Sequence, residues 1–180
     1  MIRPLVCLLL LGLFLLPPNK TMADTDAPTV RDFQEFSLTL PPKWDGNEQV
    51  GFRSKDSKEY MLTLGIKDAA EESYRALISL YLLPNTLNKD SPAIAKALAK
   101  NQADATEPAL TGRFWSFTGD PRDRFVKGRG TTSVLADKDT VLIIIVKDPE
   151  NLGAASILDS LEPKSTRTKA LWSQNHPSNK

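Results

Sequence analysis

The chain has 180 residues, with 23 basic and 22 acidic side chains, one Cys and one His. A nearly neutral chain gives no whole-molecule signal for binding nucleic acid or an anionic membrane. The only His, His176, lies near the C-terminus, which argues against a Ser-His-Asp triad in the folded part and against a multi-His metal site. The length fits one domain with a substantial hydrophobic core.

Residues 1–23 have the features of a secretory signal peptide. Arg3 precedes an apolar run at 5–16, and Ala23 ends a Thr-Met-Ala tripeptide suited to cleavage. An uncleaved membrane anchor is the alternative, but a helix over 5–16 would reach only about 18 Å, against roughly 30 Å of hydrocarbon. Cleavage after Ala23 would remove two basic residues, leaving 21 against 22 acids, and would remove Cys7, the only Cys. The sequence therefore predicts a periplasmic or secreted protein without disulfides or Cys-ligated zinc, not integral to the membrane once cleaved.

A meander of strands is predicted after a flexible lead-in at 24–32. Strict alternation of Phe36, Leu38 and Leu40 with polar residues predicts a strand that buries one face. Two further strands are predicted at 50–54 and 60–66. Trp44, in the proline-rich turn after the first strand, is interpreted as an anchor to the core, with ligand stacking as the alternative.

A helix is predicted over 70–83. Asp68 and Glu71 have capping-box spacing, with Asp in place of the usual Ser or Thr. Apolar residues then recur every three or four positions, as Tyr74, Leu77, Ile78, Tyr81 and Leu82. Such a stripe is typical of a helix packed on a sheet, and Pro84 would end it.

A second, Ala-rich helix is predicted over 92–104. Ser91 suits the N-cap, and Pro92 suits the first helical position. Ile94 and Leu98 are its main apolar residues, and so weak a stripe predicts a peripheral position.

The apolar segment at 140–146 predicts the central strand of a sheet. It is short and mostly β-branched, which favours a strand over a helix. Because side chains of a strand alternate between the two faces, an unbroken apolar run needs cover on both sides. Strands at 113–118 and 124–135 are predicted to precede it, the longer one bent or bulged at Gly128 and Gly130.

The last predicted helix follows the central strand. Asp148 suits the cap, Pro149 suits the first helical position, and Pro163 would end the helix. The tail at 164–180 is polar apart from Trp172 and is predicted to be disordered.

Together these elements predict a single α+β domain at 33–163. Strands come first, then two helices, further strands and a last helix, and most strand connections are short enough for hairpins. This order predicts a mainly antiparallel sheet with helices layered on it.

Four features carry a resemblance to a known family: Phe36-x-Leu38-x-Leu40-Pro41-Pro42-x-Trp44, the helical middle of the chain, the meander into Val141–Val146, and Ile157-Leu158-Asp159-Ser160-Leu161. They resemble the PsbP-like family, whose bacterial relatives include exported DcrB-like proteins. The resemblance implies an α/β/α sandwich around an antiparallel sheet of about six strands. It also implies a binding or assembly role without catalysis. The chain lacks the lipidation Cys of DcrB-like lipoproteins, and no functional residue of the family can be matched to it.

The most suggestive polar cluster is basic and surrounds the second meander. Its members are Arg113, Trp115, Arg122, Arg124, Lys127 and Arg129. Arginines beside an aromatic ring can hold an anionic ligand or an acidic partner. A solvated sheet face that discourages edge-to-edge pairing is the alternative.

No catalytic residue, metal site or cofactor is predicted. Asp137 and Asp139 offer fewer oxygens than the six or more that calcium takes, so they are interpreted as part of a hairpin turn. The sequence at 128–130, Gly-Arg-Gly, lacks the later glycines and the Lys-Ser/Thr ending of a phosphate loop.

Three functions remain open from the sequence. The first is an exported, non-enzymatic binding or assembly protein that contacts a protein partner of the cell envelope through a sheet edge or the Arg-rich hairpin. The second is a periplasmic small-molecule or lipid carrier, with a ligand between the sheet and helix 70–83, lined by Tyr74, Tyr81 and Leu82. The third is a carboxylate-based hydrolase, which would need two acids facing one cleft.

Overall fold

The computed structural model describes residues 27–51, 58–68, 73–121 and 128–174. The predicted signal peptide and its cleavage point, Ala23, lie outside the described residues. The strands are β1 (Thr29–Asp32), β2 (Phe36–Leu40), β3 (Asp45–Val50), β4 (Tyr60–Lys67), β5 (Tyr74–Pro84), β6 (Ala109–Thr111), β7 (Phe114–Gly119), β8 (Gly130–Ala136), β9 (Thr140–Lys147) and β10 (Glu162–Pro163). The helices are α1 (Ser91–Ala99), α2 (Ala154–Asp159) and α3 (Thr166–Gln174).

Seven strands form one antiparallel sheet, in the order β3-β4-β5-β9-β8-β7-β6. The middle strand is β9, which confirms the prediction of a central strand at 140–146. A smaller sheet has the order β1-β2-β10 and is also antiparallel. The predicted α+β class is confirmed, with seven strands in the main sheet where about six were expected.

The first face of the large sheet carries the main hydrophobic core. Leu62, Leu80 and Leu142 project from β4, β5 and β9 and are at most 1% exposed. The small sheet, α2 and α3 cover them, with Phe36 and Leu171 among the covering side chains. Burying one such side chain contributes about 1.5–3 kcal/mol.

The second face is covered only in part by the described residues. Ala95 of α1 packs against Phe117, Val134 and Val141, so this helix covers β7, β8 and the adjoining part of β9. Ser91 accepts a hydrogen bond from the Ala136 backbone N–H at 2.9 Å, which ties the start of α1 to β8. No described helix covers the outward side of β3, β4 and β5. This surface is called the open half below.

The predicted helix 70–83 is wrong, because its described part belongs to β5. Leu80 and Leu82 point to the first face and Tyr81 to the second, and eight residue pairs join β5 to β9, from Leu77 opposite Lys147 to Pro84 opposite Thr140. A strand inside a sheet is apolar on both sides. A continuous apolar segment also contains apolar residues three and four positions apart. This spacing is the same as that of an amphipathic helix, so the pattern predicted a helix where the chain forms β5.

Helix α1 is shorter than the predicted 92–104 and ends at Ala99. Its N-cap is Asp90, whose carboxylate accepts from the Ala93 N–H at 3.0 Å, and not Ser91. Ser91 is instead the first residue of the helix, and its hydroxyl bonds to β8.

Helix α2 begins later than Pro149, at Ala154. The Asp148 carboxylate accepts hydrogen bonds from the backbone N–H groups of Leu152, Gly153 and Ala154 at 2.7, 3.1 and 2.9 Å. Asp148 therefore organises a loop before the helix. The predicted cap is wrong, because the N-cap residue is Gly153.

The chain ends differ from the predicted lead-in and disordered tail. Part of the lead-in forms β1, which pairs with β2. Part of the tail forms α3, where Leu171 is fully buried and Trp172 packs 5.8 Å from Phe114 and 6.5 Å from Phe36 between ring centroids. The tail is polar, but these two side chains are enough to dock a short helix on the core.

Two strand predictions are corrected in their bounds. The second strand runs from Asp45 to Val50, so it begins in the expected turn, and 52–54 lie outside the described residues. The strand predicted at 124–135 is described from Gly130, after Gly128 with a φ of 97°. The predicted strands at 36–40, 60–66 and 113–118 are confirmed, as β2, β4 and β7.

Candidate functional site

The open half carries a groove of about 640 Å³. Its floor consists of outward-facing side chains of β4, β5 and β9, namely Met61, Thr63, Leu77, Ser79, Tyr81 and Ile145. The strand register sets this pattern: Met61 lies opposite Tyr81, and Thr63 opposite Ser79, which in turn lies opposite Ile145. Alternation along each strand sends these residues to the second face and their neighbours into the core. The floor is therefore apolar and aromatic, with the hydroxyl groups of Thr63, Ser79 and Tyr81.

Gly65 makes room for one wall of the groove. A Cβ at this position would lie 2.5 Å from Cδ1 of Tyr74 and 2.9 Å from the Ala76 carbonyl oxygen. The Tyr74 ring therefore rests directly on the backbone of β4, next to a register shift between Ile66 and Lys67. A glycine within a strand is typical of such close approach.

A second cavity of about 450 Å³ adjoins the groove and shares Asp45, Gly65 and Lys67 with it. Lys43, Ile66, Asp68 and Arg75 also line this cavity. The larger cavity is called the groove below, and the smaller one is called the charged cleft. They meet at the end of β4 where Lys67 is paired with Tyr74.

The arginine of the charged cleft, Arg75, is bound to a carboxylate. Arg75 donates hydrogen bonds to both carboxylate oxygens of Glu150 and forms an ion pair with it. These hydrogen bonds hold the pKa of the exposed Glu150 carboxyl below its usual value. Arg75 therefore faces a carboxylate supplied by the chain itself.

A buried lysine stands beside the same end of the groove. Lys147 is 1% exposed, and its Nζ lies 3.5 Å from Oδ1 of Asp120, which precedes the groove residue Pro121. Burying an ammonium is costly unless a carboxylate compensates it. The ion pair with Asp120 therefore explains how Lys147 can be buried in the sheet, and no bound ligand is needed to compensate its charge.

The predicted basic cluster is divided by the structure. Arg113 donates to the Trp172 carbonyl oxygen at 3.1 Å, and its guanidinium lies 4.9 Å from the centroid of that ring, so it holds α3. Trp115 packs on the other face of the sheet, with the residues beneath α1. Arg129 is exposed, and Arg122, Arg124 and Lys127 lie outside the described residues. A joint site of these residues stays a prediction.

Three other titratable groups in the described part have structural partners. Glu35 is buried and accepts from Nε and Nη2 of Arg167 at 3.0 and 2.6 Å, which ties α3 to the turn before β2. Tyr60 donates to Glu48 at 2.9 Å, and burial raises the pKa of its hydroxyl well above the usual value, with the Glu48 hydrogen bond adding to the shift. Asp137 accepts from two backbone N–H groups of its own turn at 2.8 and 2.7 Å, as the hairpin interpretation predicts.

Trp44 is an anchor, as one of its two interpretations predicted. It is 6% exposed, and its indole N–H donates to the Leu152 carbonyl oxygen at 2.9 Å. Within the described ranges, no group of three or more His, Cys, Asp and Glu side chains is placed to hold a metal ion. In the same part of the chain, no helix has the length and apolar character needed to cross a bilayer.

The sequence analysis identified part of the groove for the wrong reason. Tyr74 and Tyr81 line it, but they project from a strand, and Leu82 points into the core on the opposite face. The alternation in β4 singles out its inward residues and does not mark Met61 and Thr63. The signal was available, since the outward positions of a strand in the middle of a sheet face a second layer or an open surface.

Comparisons of the chain with protein-family models, with curated proteins and with solved structures found no match. The resemblance to the PsbP-like family therefore stays a prediction.

Proposed function

We propose that the protein is a non-enzymatic binding protein that takes a small, largely apolar molecule in the groove of the open half. The supporting observation is the groove itself. Its volume of about 640 Å³ lies in the range of ligand sites, roughly 300–1,000 Å³. Its floor combines apolar and aromatic side chains with the hydroxyls of Thr63 and Ser79, which is the usual composition of such sites.

The arrangement of acids near the groove supports binding over hydrolysis. Asp45 lies 3.8 Å from Arg31 and accepts the Gly46 N–H, and Asp120 is paired with Lys147. A carboxylate mechanism needs two acids that face one cleft across the reacting bond. Asp45 and Asp120 are each turned to a cation of the chain, and Asp68 of the adjoining cavity interacts with Arg75, so we propose a carrier or receptor without catalysis.

The proposed place of action is outside the cytoplasm. This rests on the signal-peptide pattern at 1–23 and agrees with the exported relatives of the PsbP-like family. An exported protein with a half-covered sheet face would capture its ligand in the periplasm or outside the cell.

A protein partner of the envelope is the second candidate, and one observation favours it. Strand β3 is an edge of the large sheet and is mostly exposed over its length, including Val50 at 51% exposure. An edge strand can receive an extended peptide as an additional strand. This route uses the sheet edge and needs none of the predicted arginines.

The carrier proposal is tested with the neutral apolar fluorophore N-phenyl-1-naphthylamine, on protein purified from the envelope of an expressing host. We expect saturable binding of one probe per chain. Tyr81→Ala should weaken it about tenfold, equal to roughly 1.4 kcal/mol, because the probe loses its aromatic wall. Leu87→Ala is the matched control, since Leu87 is 72% exposed and does not line the groove.

Equal affinity in wild type and Tyr81→Ala would contradict the groove as the site. The edge-binding alternative would be favoured by two results together. The protein would not bind the probe, and Gln49→Pro in β3 would remove an envelope protein from pull-downs.

A further inference from the structure

We infer that the ligand of the groove is an amphipathic anion, with an apolar body on the groove floor and an anionic group in the charged cleft at Lys43 and Lys67. This inference rests on the proposed binding function and adds the chemical class of the ligand. It follows from the continuity of two cavities, from the charges that line the second one, and from the backbone conformation of Lys43.

The two cavities form one path from apolar to charged surroundings. Met61 and Tyr81 lie on the floor of the larger one, and Asp45, Gly65 and Lys67 belong to both. The register of β3 with β4 places Asp45 opposite Gly65, so Lys43 and Lys67 stand at the same end of the sheet. A molecule lying along β4 and β5 would thus have its body over Met61 and Tyr81 and one end between the two ammonium groups.

The charges in the cleft favour an anion. Arg75 is paired with Glu150, and Asp45 accepts the Gly46 N–H at 2.8 Å and faces Arg31. Within the described ranges, neither Lys43 nor Lys67 has a carboxylate partner. Asp68 also lines the cleft and interacts electrostatically with Arg75. Arg31, Lys43, Lys67 and Arg75 therefore stand against the carboxylates of Asp45, Asp68 and Glu150, four positive charges against three negative ones. The excess positive charge favours a carboxylate, sulfonate or phosphate.

The conformation of Lys43 gives an independent reason. Its φ is 71°, and the Trp44 N–H donates to the Pro41 carbonyl oxygen at 3.2 Å, which closes a turn with Lys43 as its third residue. Glycine or asparagine is the usual residue at a turn position with positive φ. Lysine here costs backbone strain, and such strain points to a role for the side chain. We assign that role to the anionic end of the ligand.

The experiment compares three ligands with the same ten-carbon chain: decanoate, 1-decanol and decyltrimethylammonium. Each is measured below its micelle concentration by displacement of the neutral fluorophore. We expect decanoate to bind at least tenfold more tightly than decanol, and this advantage to shrink as salt rises from 20 to 500 mM, because the cleft is open to solvent. Decyltrimethylammonium should bind most weakly.

Two variants locate the anionic group. Lys43→Gly should keep or raise the melting temperature, since it relieves the turn, yet weaken decanoate three- to tenfold more than it weakens decanol. Lys67→Gln should act on decanoate in the same direction. Lys169→Gln, an exposed lysine of α3, is the control and should leave all three affinities unchanged.

The outcomes separate this inference from the proposed function. Equal binding of decanol and decanoate would overturn the anionic class and leave the carrier intact, whereas failure of every probe to bind would overturn both. Vesicles of phosphatidylglycerol, compared with phosphatidylcholine, identify the source of the anion. Retention on the anionic vesicles that is lost in Lys43→Gly supports a lipid ligand, and binding of free decanoate alone supports a monomeric acid.

Discussion

Single residues in this protein have roles that follow from the space around them. Trp44 could be assigned from the sequence, because an indole beside paired prolines at a strand end commonly anchors a turn. Arg113 could not, because its partner Trp172 lies 59 residues further along the chain. Gly65 also escaped notice: a glycine in a strand pattern signals close approach. Only the coordinates show that the approaching group is the Tyr74 ring.

Gly65→Ala is expected to disturb the groove and the fold together. The new Cβ would meet the Tyr74 ring at 2.5 Å and the Ala76 carbonyl at 2.9 Å, and the backbone contact cannot relax by a rotamer change. We expect a loss of roughly 1–3 kcal/mol in the free energy of unfolding, measured by urea denaturation, with weaker fluorophore binding. Thr63→Ala on the same strand adds no volume and serves as the control for the free energy of unfolding alone, since Thr63 lines the groove. A Gly65→Ala protein of wild-type stability would show that Tyr74 does not rest on this strand.

At the scale of elements, alternation identified strands well and spacing identified helices poorly. β2 and β4 are half-covered strands with inward apolar residues, and the pattern found both. β5 is apolar on both faces, so its alternation disappears and a helical spacing emerges by coincidence. α3 was missed because its stripe is weak and its docking depends on partners distant in sequence, Glu35 and Phe114.

Trp172→Ala is expected to loosen α3 and destabilise the whole domain. Trp172 contacts Phe36 and Phe114 and lies under the Arg113 guanidinium, so its loss leaves a gap over the core. Because the side chain is only partly buried, we expect about 2 kcal/mol, below the 3–5 kcal/mol of a fully buried aromatic. Equilibrium urea unfolding measures the change. Ser173→Ala, at an exposed position of the same helix, should be near neutral, and a similar neutral result for Trp172→Ala would show that α3 does not contribute to stability.

For the whole molecule, one strand determined the prediction and the structure alike. The sequence at 140–146 required cover on both faces, and together with the order of the elements this requirement predicted a layered α+β sheet. What could not be predicted was how complete the cover would be. The extent of α1 on the second face depends on where the helix ends and how it crosses the sheet, which the composition of 92–104 does not specify.

Ile144→Asp is expected to unfold the protein. Ile144 is 3% exposed in the central strand and faces the main core, so an aspartate would bury a charge without a partner. Circular dichroism should show no cooperative thermal transition. Thr131→Asp, at an exposed position of the neighbouring β8, should melt cooperatively near the wild-type temperature. A cooperative melt of Ile144→Asp would be incompatible with a buried central strand.

The position of β9 also has a consequence for how the molecule is made. β3, β4 and β5 form one run of hairpins, and β6 to β9 form another, so the two halves join only where β9 meets β5. Until the chain has been synthesised as far as Lys147, one edge of β5 has no complete partner strand. The entropy cost of closing a loop of about 60 residues also slows the pairing of β5 with β9. A nascent chain of this design would leave its large sheet incomplete until late in synthesis.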